Sequence, residues 1–138
     1  MLRFGRATHR YEPGAIRALP SDFELSTADR KAAEETGRPA LLSVFERSRT
    51  SVPEARAITG KADAAVFQLM IEQVVQLPVP GQGEKLAVRR DPLAPPADQL
   101  PGADGHCGIQ GLNRPSSVPR AHYKELRSQL ADLATTVA

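Results

Sequence analysis

Residues 65–77 read AVFQLMIEQVVQL and form the longest apolar run of the chain, closed by Pro78. With a period of two, Phe67, Leu69 and Ile71 alternate with mostly polar neighbours, which predicts a half-buried β-strand. With a period of 3.6, the same run makes an apolar helical stripe, so a helix is the alternative interpretation. The β-branched and aromatic content favours the strand, and we expect the run to lie at the centre of the core.

Two shorter apolar segments predict strands that accompany this run. Residues 40–45, ALLSVF, are too short for an independent helix and predict a buried strand. Residues 85–90, KLAVRR, predict another short strand, because the preceding residues 78–84 are rich in proline and glycine and form a turn. Together these segments predict a sheet of about three to four short strands.

Capping signals predict two short helices. Each begins at a hydroxyl side chain that can accept a hydrogen bond from the first helical turn, and each ends at a glycine, which tolerates the left-handed conformation. The boundaries are Ser26 and Gly37 for a helix over about residues 27–36, and Thr50 or Ser51 and Gly60 for the second helix.

The segment that follows Pro119 predicts the longest helix. Its apolar residues recur at spacings of three and four, and we expect Lys124 and Arg127 on the opposite face to contact water. Such a stripe usually packs in a core, but a narrow seam of this kind also docks partners or forms small dimers. The stripe consists of Tyr123, Leu126, Leu130, Leu133 and Val137. We therefore treat the first four as candidate binding residues.

Length and pattern predict one small α+β domain. A chain of 138 residues has room for a single core. The domain is expected to span residues 26–138, with a proline-rich loop at residues 91–103. Residues 1–25 show no sustained period and are interpreted as an extended arm that lies on the domain, or alternatively as a basic arm that docks a partner. The predicted fold is thus a sheet of three to four strands, two short helices and a long C-terminal helix.

Composition limits the functional classes. A net charge of +2 is too small to favour a nucleic-acid-binding protein. The single cysteine cannot form an internal disulfide, and no apolar run approaches the roughly 20 residues of a membrane helix, so a cytoplasmic protein is expected. No paired cysteine or histidine spacing indicates a metal, and no glycine-rich motif indicates a nucleotide cofactor.

Residues 105–112, GHCGIQGL, surround the single cysteine with glycines and are the natural place to look for catalysis. A nucleophilic Cys107 would need a neighbouring base and a lowered pKa. In a strand, His106 points to the face opposite Cys107, so the base would be His122 or His9. The alternative interpretation places Cys107 in the core as a small apolar side chain.

Arginines supply the remaining candidate site. Arg89 and Arg90 end a predicted strand, and with Arg47, Arg49 and the arginines of the N-terminal arm they would recognise a carboxylate or phosphate if the fold gathers them. No Ser-His-Asp combination is specified. Our first hypothesis is therefore a small non-enzymatic module, such as an adaptor, inhibitor or assembly component, that binds another protein or a second copy of itself. The alternatives are an enzyme that uses Cys107, and weak binding of nucleic acid through arginines.

Overall fold

The computed structural model describes residues 1–5 and 16–137, which form one antiparallel sheet with helices on both faces. This confirms the α+β class, whereas the prediction of three to four strands is wrong because these residues form six. The order of the strands across the sheet is β4-β5-β2-β1-β3-β6. The strands are Leu2–Phe4 (β1), Leu41–Phe45 (β2), Val66–Gln68 (β3), Ala87–Arg90 (β4), His106–Gln110 (β5) and Thr135–Thr136 (β6).

Four α-helices accompany the sheet in the described part of the chain, and both predicted short helices are among them. The Ser26 hydroxyl accepts a hydrogen bond from the backbone N–H of Asp29 at 3.0 Å, and Gly37 ends that helix. Ser51 and Glu54 form a reciprocal capping box at the start of the second helix. The helices are Thr27–Thr36 (α1), Val52–Thr59 (α2), Ile71–Val74 (α3) and Arg120–Leu133 (α4), with 3-10 turns at Pro20–Phe23, Ala97–Gln99 and Ala103–Gly105.

Each face of the sheet carries its own core cluster. On one face α4 packs against the sheet, where Leu126 and Leu130 join Phe67 and Ile109 in the larger cluster. On the other face Ala55 of α2 packs with buried residues of β1, β2 and β3. Because successive strand residues point to opposite faces, the same short strands supply both clusters.

The run at residues 65–77 belongs to the core, but it is neither one strand nor one helix. Val66–Gln68 pairs with β1, and the Leu69 N–H still donates to the Met1 carbonyl at 2.8 Å. Beyond that point β1 offers no backbone partner, so the chain turns and α3 begins at Ile71. The prediction of a continuous strand is therefore wrong. The fully buried residues of the run are Val66, Phe67, Leu69 and Val74.

The predicted arm at residues 1–25 includes residues 6–15, which lie outside the described part of the chain, but its first strand lies inside the sheet. β1 pairs with β2 on one side and with β3 on the other. Leu2 and Phe4 are buried in the cluster beneath α2, while Arg3 donates from the opposite face to the carbonyl oxygens of Asp22 and Ser43. A strand of three residues is too short to show a period, so the sequence did not reveal it.

The C-terminal helix starts after Pro119, as predicted, but it does not reach the end of the chain. α4 ends at Leu133, and Thr135–Thr136 then pairs with β3 as the edge strand β6. Val137 donates its N–H to the Val66 carbonyl at 2.9 Å and so lies beyond the helix rather than in its apolar stripe.

Candidate functional site

A cleft opens at the end of the sheet where β2 and β4 begin and β5 ends. Its walls come from α1 and the residues that follow it, from the turn before β4 and from the loop after β5. Its volume is about 730 Å³. Gly111 makes this shape possible, because its φ of 116° is left-handed and a Cβ there would lie 2.8 Å from the Val79 side chain. We call this space the strand-end cleft. Its lining includes Ala33, Arg38, Lys85, Ala87, Arg89, Gln110, Asn113 and Arg114.

The strand-end cleft offers positive charge and an unused acceptor. Its charged lining residues are Arg38, Lys85, Arg89, Arg114, Glu34 and Glu84, so cations outnumber acids. The Oε1 of Gln110 is buried, and no described residue donates a hydrogen bond to it. A buried polar atom left without a partner costs about 1–3 kcal/mol. A ligand that brings a donor and negative charge would satisfy both features.

A second cavity of about 500 Å³ shares a wall with the cleft. It lies between α1, α4 and the loop at residues 112–114, and Glu34, Asn113, Arg114 and Tyr123 line both spaces. We call it the arginine cavity. Its charged lining residues are Arg30, Arg114, Arg120, Arg127, Glu24 and Glu34. Here too the guanidinium groups outnumber the carboxylates.

Arg127 faces the arginine cavity, so the expectation that it contacts water is wrong: only 17% of its side chain is exposed. Its Nη2 lies 3.9 Å from Glu24 Oε1, and its Nε is buried with no acceptor among the described residues. Arg114 is held more firmly, because its Nη1 donates to the carbonyl oxygens of Val118 at 2.8 Å and Pro115 at 3.3 Å. The cavity thus combines one fixed guanidinium with one whose Nε lacks a partner.

The fold separates Arg89 from Arg90. Arg89 lines the strand-end cleft, whereas the Arg90 Nη2 lies 3.2 Å from Glu46 Oε2 and its Nη1 donates to the Asp104 carbonyl at 3.1 Å. Arg49 approaches the same Glu46 carboxylate at 3.5 Å. Because successive strand residues point to opposite faces, the two neighbours in sequence do not form one patch.

Cys107 lies in the larger core cluster and is 5% exposed. Burial raises the pKa of its thiol and outweighs the nearby Arg90 guanidinium, which acts in the opposite direction. A nucleophilic cysteine needs a lowered pKa instead. His106 points to the opposite face of β5, His122 is exposed on α4, and His9 lies outside the described residues.

His106 has two partners that sequence analysis did not bring together. Its Nδ1 donates to the Asp91 carbonyl oxygen at 2.5 Å, because that oxygen can only accept, and its Nε2 lies 2.6 Å from the Ser43 hydroxyl oxygen. The Asp91 carboxylate is 3.7 Å from Nδ1. A serine nucleophile and its base have similar distances. Neither Ser43 nor His106 lines the strand-end cleft or the arginine cavity, and the imidazole is buried against Phe45. We therefore interpret the hydrogen bonds of His106 as structural.

The candidate binding stripe of α4 is built into the core. Tyr123, Leu126 and Leu130 are at most 1% exposed, and the half-buried Leu133 packs against the same cluster. These side chains therefore present almost no surface to a partner in this fold. Tyr123 alone also borders the strand-end cleft and the arginine cavity.

The sequence contains one signal for the arginine cavity. Arg120, Tyr123 and Arg127 are spaced by three and four residues and therefore share one face of α4. Arg30 and Glu34 are four residues apart and share one face of α1 in the same way. The spacing alone does not show that these two faces meet, since α1 and α4 are about 90 residues apart in the chain.

Within residues 1–5 and 16–137, no group of three or more His, Cys, Asp or Glu side chains is placed to hold a metal ion. Among the same residues, no helix has both the length and the apolar character needed to cross a bilayer. Comparison of the chain with protein-family models, with curated proteins and with solved structures gave no match. Its function must therefore be inferred from its own residues.

Proposed function

We propose that the protein is a non-enzymatic binding module that holds an extended, acidic segment of another protein in the strand-end cleft. The observation that carries the proposal is the buried Gln110 Oε1, an acceptor without a donor among the described residues, in a cleft lined by four cationic side chains. An acidic segment brings carboxylates for the guanidinium groups and backbone N–H groups for the amide oxygen. Charge complementarity therefore favours this ligand over a neutral or basic one.

The edge strand β4 supports an extended ligand. β4 pairs with β5 on one side and has no strand partner on its other side in the described sheet. The Asp91 N–H donates to the His106 carbonyl, which sets the register, so Val88 directs its backbone N–H and C=O away from β5. Ala87 and Arg89 of the same strand line the cleft. An extended segment can add to this edge while its side chains enter the cleft.

Selection from a library of random displayed peptides tests the proposal. We expect the selected peptides to be enriched in Asp and Glu. Their affinity should fall at least tenfold for Ala87→Phe, because the larger side chain fills the cleft opposite Gln110. Ala57→Phe makes the same change on the exposed surface of α2 and should bind like the wild type. Selected peptides without acidic enrichment, or with equal affinity for wild type and Ala87→Phe, contradict the proposal.

Two further measurements separate this ligand from the alternatives. Light scattering should show a monomer over the concentrations used for binding. A dimer that Ala87→Phe dissociates would instead identify a second copy of the chain as the occupant. An unrelated single-stranded oligonucleotide should not compete with the peptide, and competition that disappears as salt is raised would point to nucleic acid instead.

A further inference from the structure

We propose that the arginine cavity is a separate binding site for a doubly charged oxyanion, either a phosphate monoester or a dicarboxylate. This goes beyond the peptide-binding function, because the ligand would contact side chains of α1, α4 and the intervening loop rather than the edge of β4. The two sites share a wall but not their ligands, so each can be tested without the other.

The charges of the cavity define the ligand. Its four guanidinium groups belong to Arg30, Arg114, Arg120 and Arg127, and its two carboxylates belong to Glu24 and Glu34. Like charges within one small cavity repel each other, and the two carboxylates offset only half of the positive charge. An anion that carries two negative charges offsets the remainder. Guanidinium groups can also bind phosphate and carboxylate in a bidentate manner, with two parallel N–H···O hydrogen bonds.

Arg127 would direct the position of the ligand. Its Nε is buried and has no acceptor among the residues that the structure describes. The Nη2 of Arg127 lies 3.9 Å from Glu24 Oε1, which is longer than a hydrogen bond, so this ion pair holds the guanidinium only loosely. A ligand oxygen beside Nε would give this donor the acceptor that it lacks among the described residues.

The groups around the cavity favour the binding of an anion. Arg114 is already held by the carbonyl oxygens of Val118 and Pro115, so binding costs little side-chain entropy there. Burial raises the pKa of the Tyr123 phenol, so its hydroxyl stays protonated and able to donate. The first turn of α4 has no acidic residue, and Pro119 supplies no side-chain cap, so the positive end of the helix adds in the same direction.

Thermal unfolding of the full chain tests the site. Inorganic phosphate and succinate are each compared with sodium chloride at matched ionic strength. We expect at least one dianion to raise Tm in a saturable manner, because a ligand that binds only the folded state stabilises it by mass action. The more effective of the two identifies the chemical class of the ligand. If neither dianion raises Tm above the chloride value, the proposal is wrong.

Variants show whether the stabilising ion occupies this cavity. Arg127→Lys keeps the charge but removes the Nε donor, and we expect it to weaken the dianion at least fivefold. Arg30→Gln and Arg120→Gln change exposed side chains, so the fold should tolerate both substitutions. Each should weaken binding of the dianion by a similar factor. Lys124→Gln removes an exposed charge of α4 outside the cavity and should behave like the wild type. Equal weakening by Lys124→Gln would show general screening and would overturn the proposal.

The strand-end cleft provides the last control. Ala87→Phe should lose the acidic peptide and keep the response to the dianion. Loss of the dianion response in Ala87→Phe, with the variant still folded, would mean that the ion occupies the cleft instead, which contradicts a separate site.

Discussion

Replacement of Leu130 by alanine tests whether the α4 stripe is the core of a single chain. The side chain is 0% exposed and belongs to the larger core cluster. Truncation of a fully buried leucine loses the transfer free energy of the removed atoms and leaves a cavity, and together these cost about 3 kcal/mol. With an unfolding entropy of about 2.1 cal/mol/K per residue, that loss lowers Tm by about 10 °C in a chain of 138 residues.

Urea unfolding followed by circular dichroism at two protein concentrations measures this effect. We expect the same loss of unfolding free energy at both concentrations and an unchanged slope with urea. Leu100→Ala makes the same chemical change at a side chain that is 42% exposed, and it should cost less than about 0.5 kcal/mol. If Leu130→Ala costs less than about 1 kcal/mol, or if the wild-type midpoint rises with protein concentration, the stripe lies at an interface and our assignment fails.

Three further predictions concern stability. Ser51→Ala removes the capping box of α2 and should cost about 1 kcal/mol in urea unfolding. Burial raises the pKa of the Cys107 thiol above its value in the unfolded chain. The stability that the protonated thiol contributes is therefore complete below the usual thiol pKa and is lost as pH rises through the pKa of the folded state. Cys107→Ala has no thiol and should lose less stability at alkaline pH than the wild type. Gly105→Ala would place a Cβ 1.9 Å from Thr50 Oγ1, which donates to the Gly102 carbonyl, and should lower unfolding free energy by more than about 2 kcal/mol.

Two of these three predictions have a matched control variant. Ser117→Ala lies in an exposed loop and should leave stability unchanged, so an equal loss in Ser51→Ala and Ser117→Ala would argue against the cap. Gly83→Ala meets no atom within 4 Å and should cost only the left-handed strain of about 1 kcal/mol. A smaller loss for Gly105→Ala than for Gly83→Ala would contradict the close contact with Thr50. Equal alkaline slopes for wild type and Cys107→Ala would refute the raised pKa.

Local signals were sufficient for the short helices. The hydroxyl caps and terminal glycines of α1 and α2 act within one helical turn, so Ser26, Gly37 and Gly60 predicted the boundaries that the structure has. The strand at residues 41–45 was also predictable, because its apolar run is short and follows Pro39. In each case the interaction that determines the element lies close by in the chain.

Non-local pairing explains what sequence analysis missed. Residues 65–77 contain both periods, and the switch from strand to helix after Leu69 depends on where β1 stops offering backbone partners. β1 itself has three residues and owes its place to β2 and β3 on either side. A period cannot be recognised over three residues, so a β-strand of this length is visible only in the assembled sheet.

The candidate site was still less predictable. The sequence indicates Arg89 as a possible binding residue, but it also predicts one patch with Arg90, and the strand separates the two side chains. The position of Arg127 off the apolar stripe of α4 predicts contact with water, whereas the packing of α4 near α1 encloses its side chain. Both cavities depend on elements far apart in the sequence, and no motif marks their meeting.

The most direct test of the proposed function is to map where the selected acidic peptide contacts the folded chain. A titration of the ¹⁵N-labelled protein, followed by heteronuclear NMR, reports on each backbone amide. We predict that the largest shifts fall at Ala87, Gln110 and Gly111, which line the strand-end cleft. The largest shifts at the exposed surface of α2 around Ala57, with the cleft unchanged, would contradict the account.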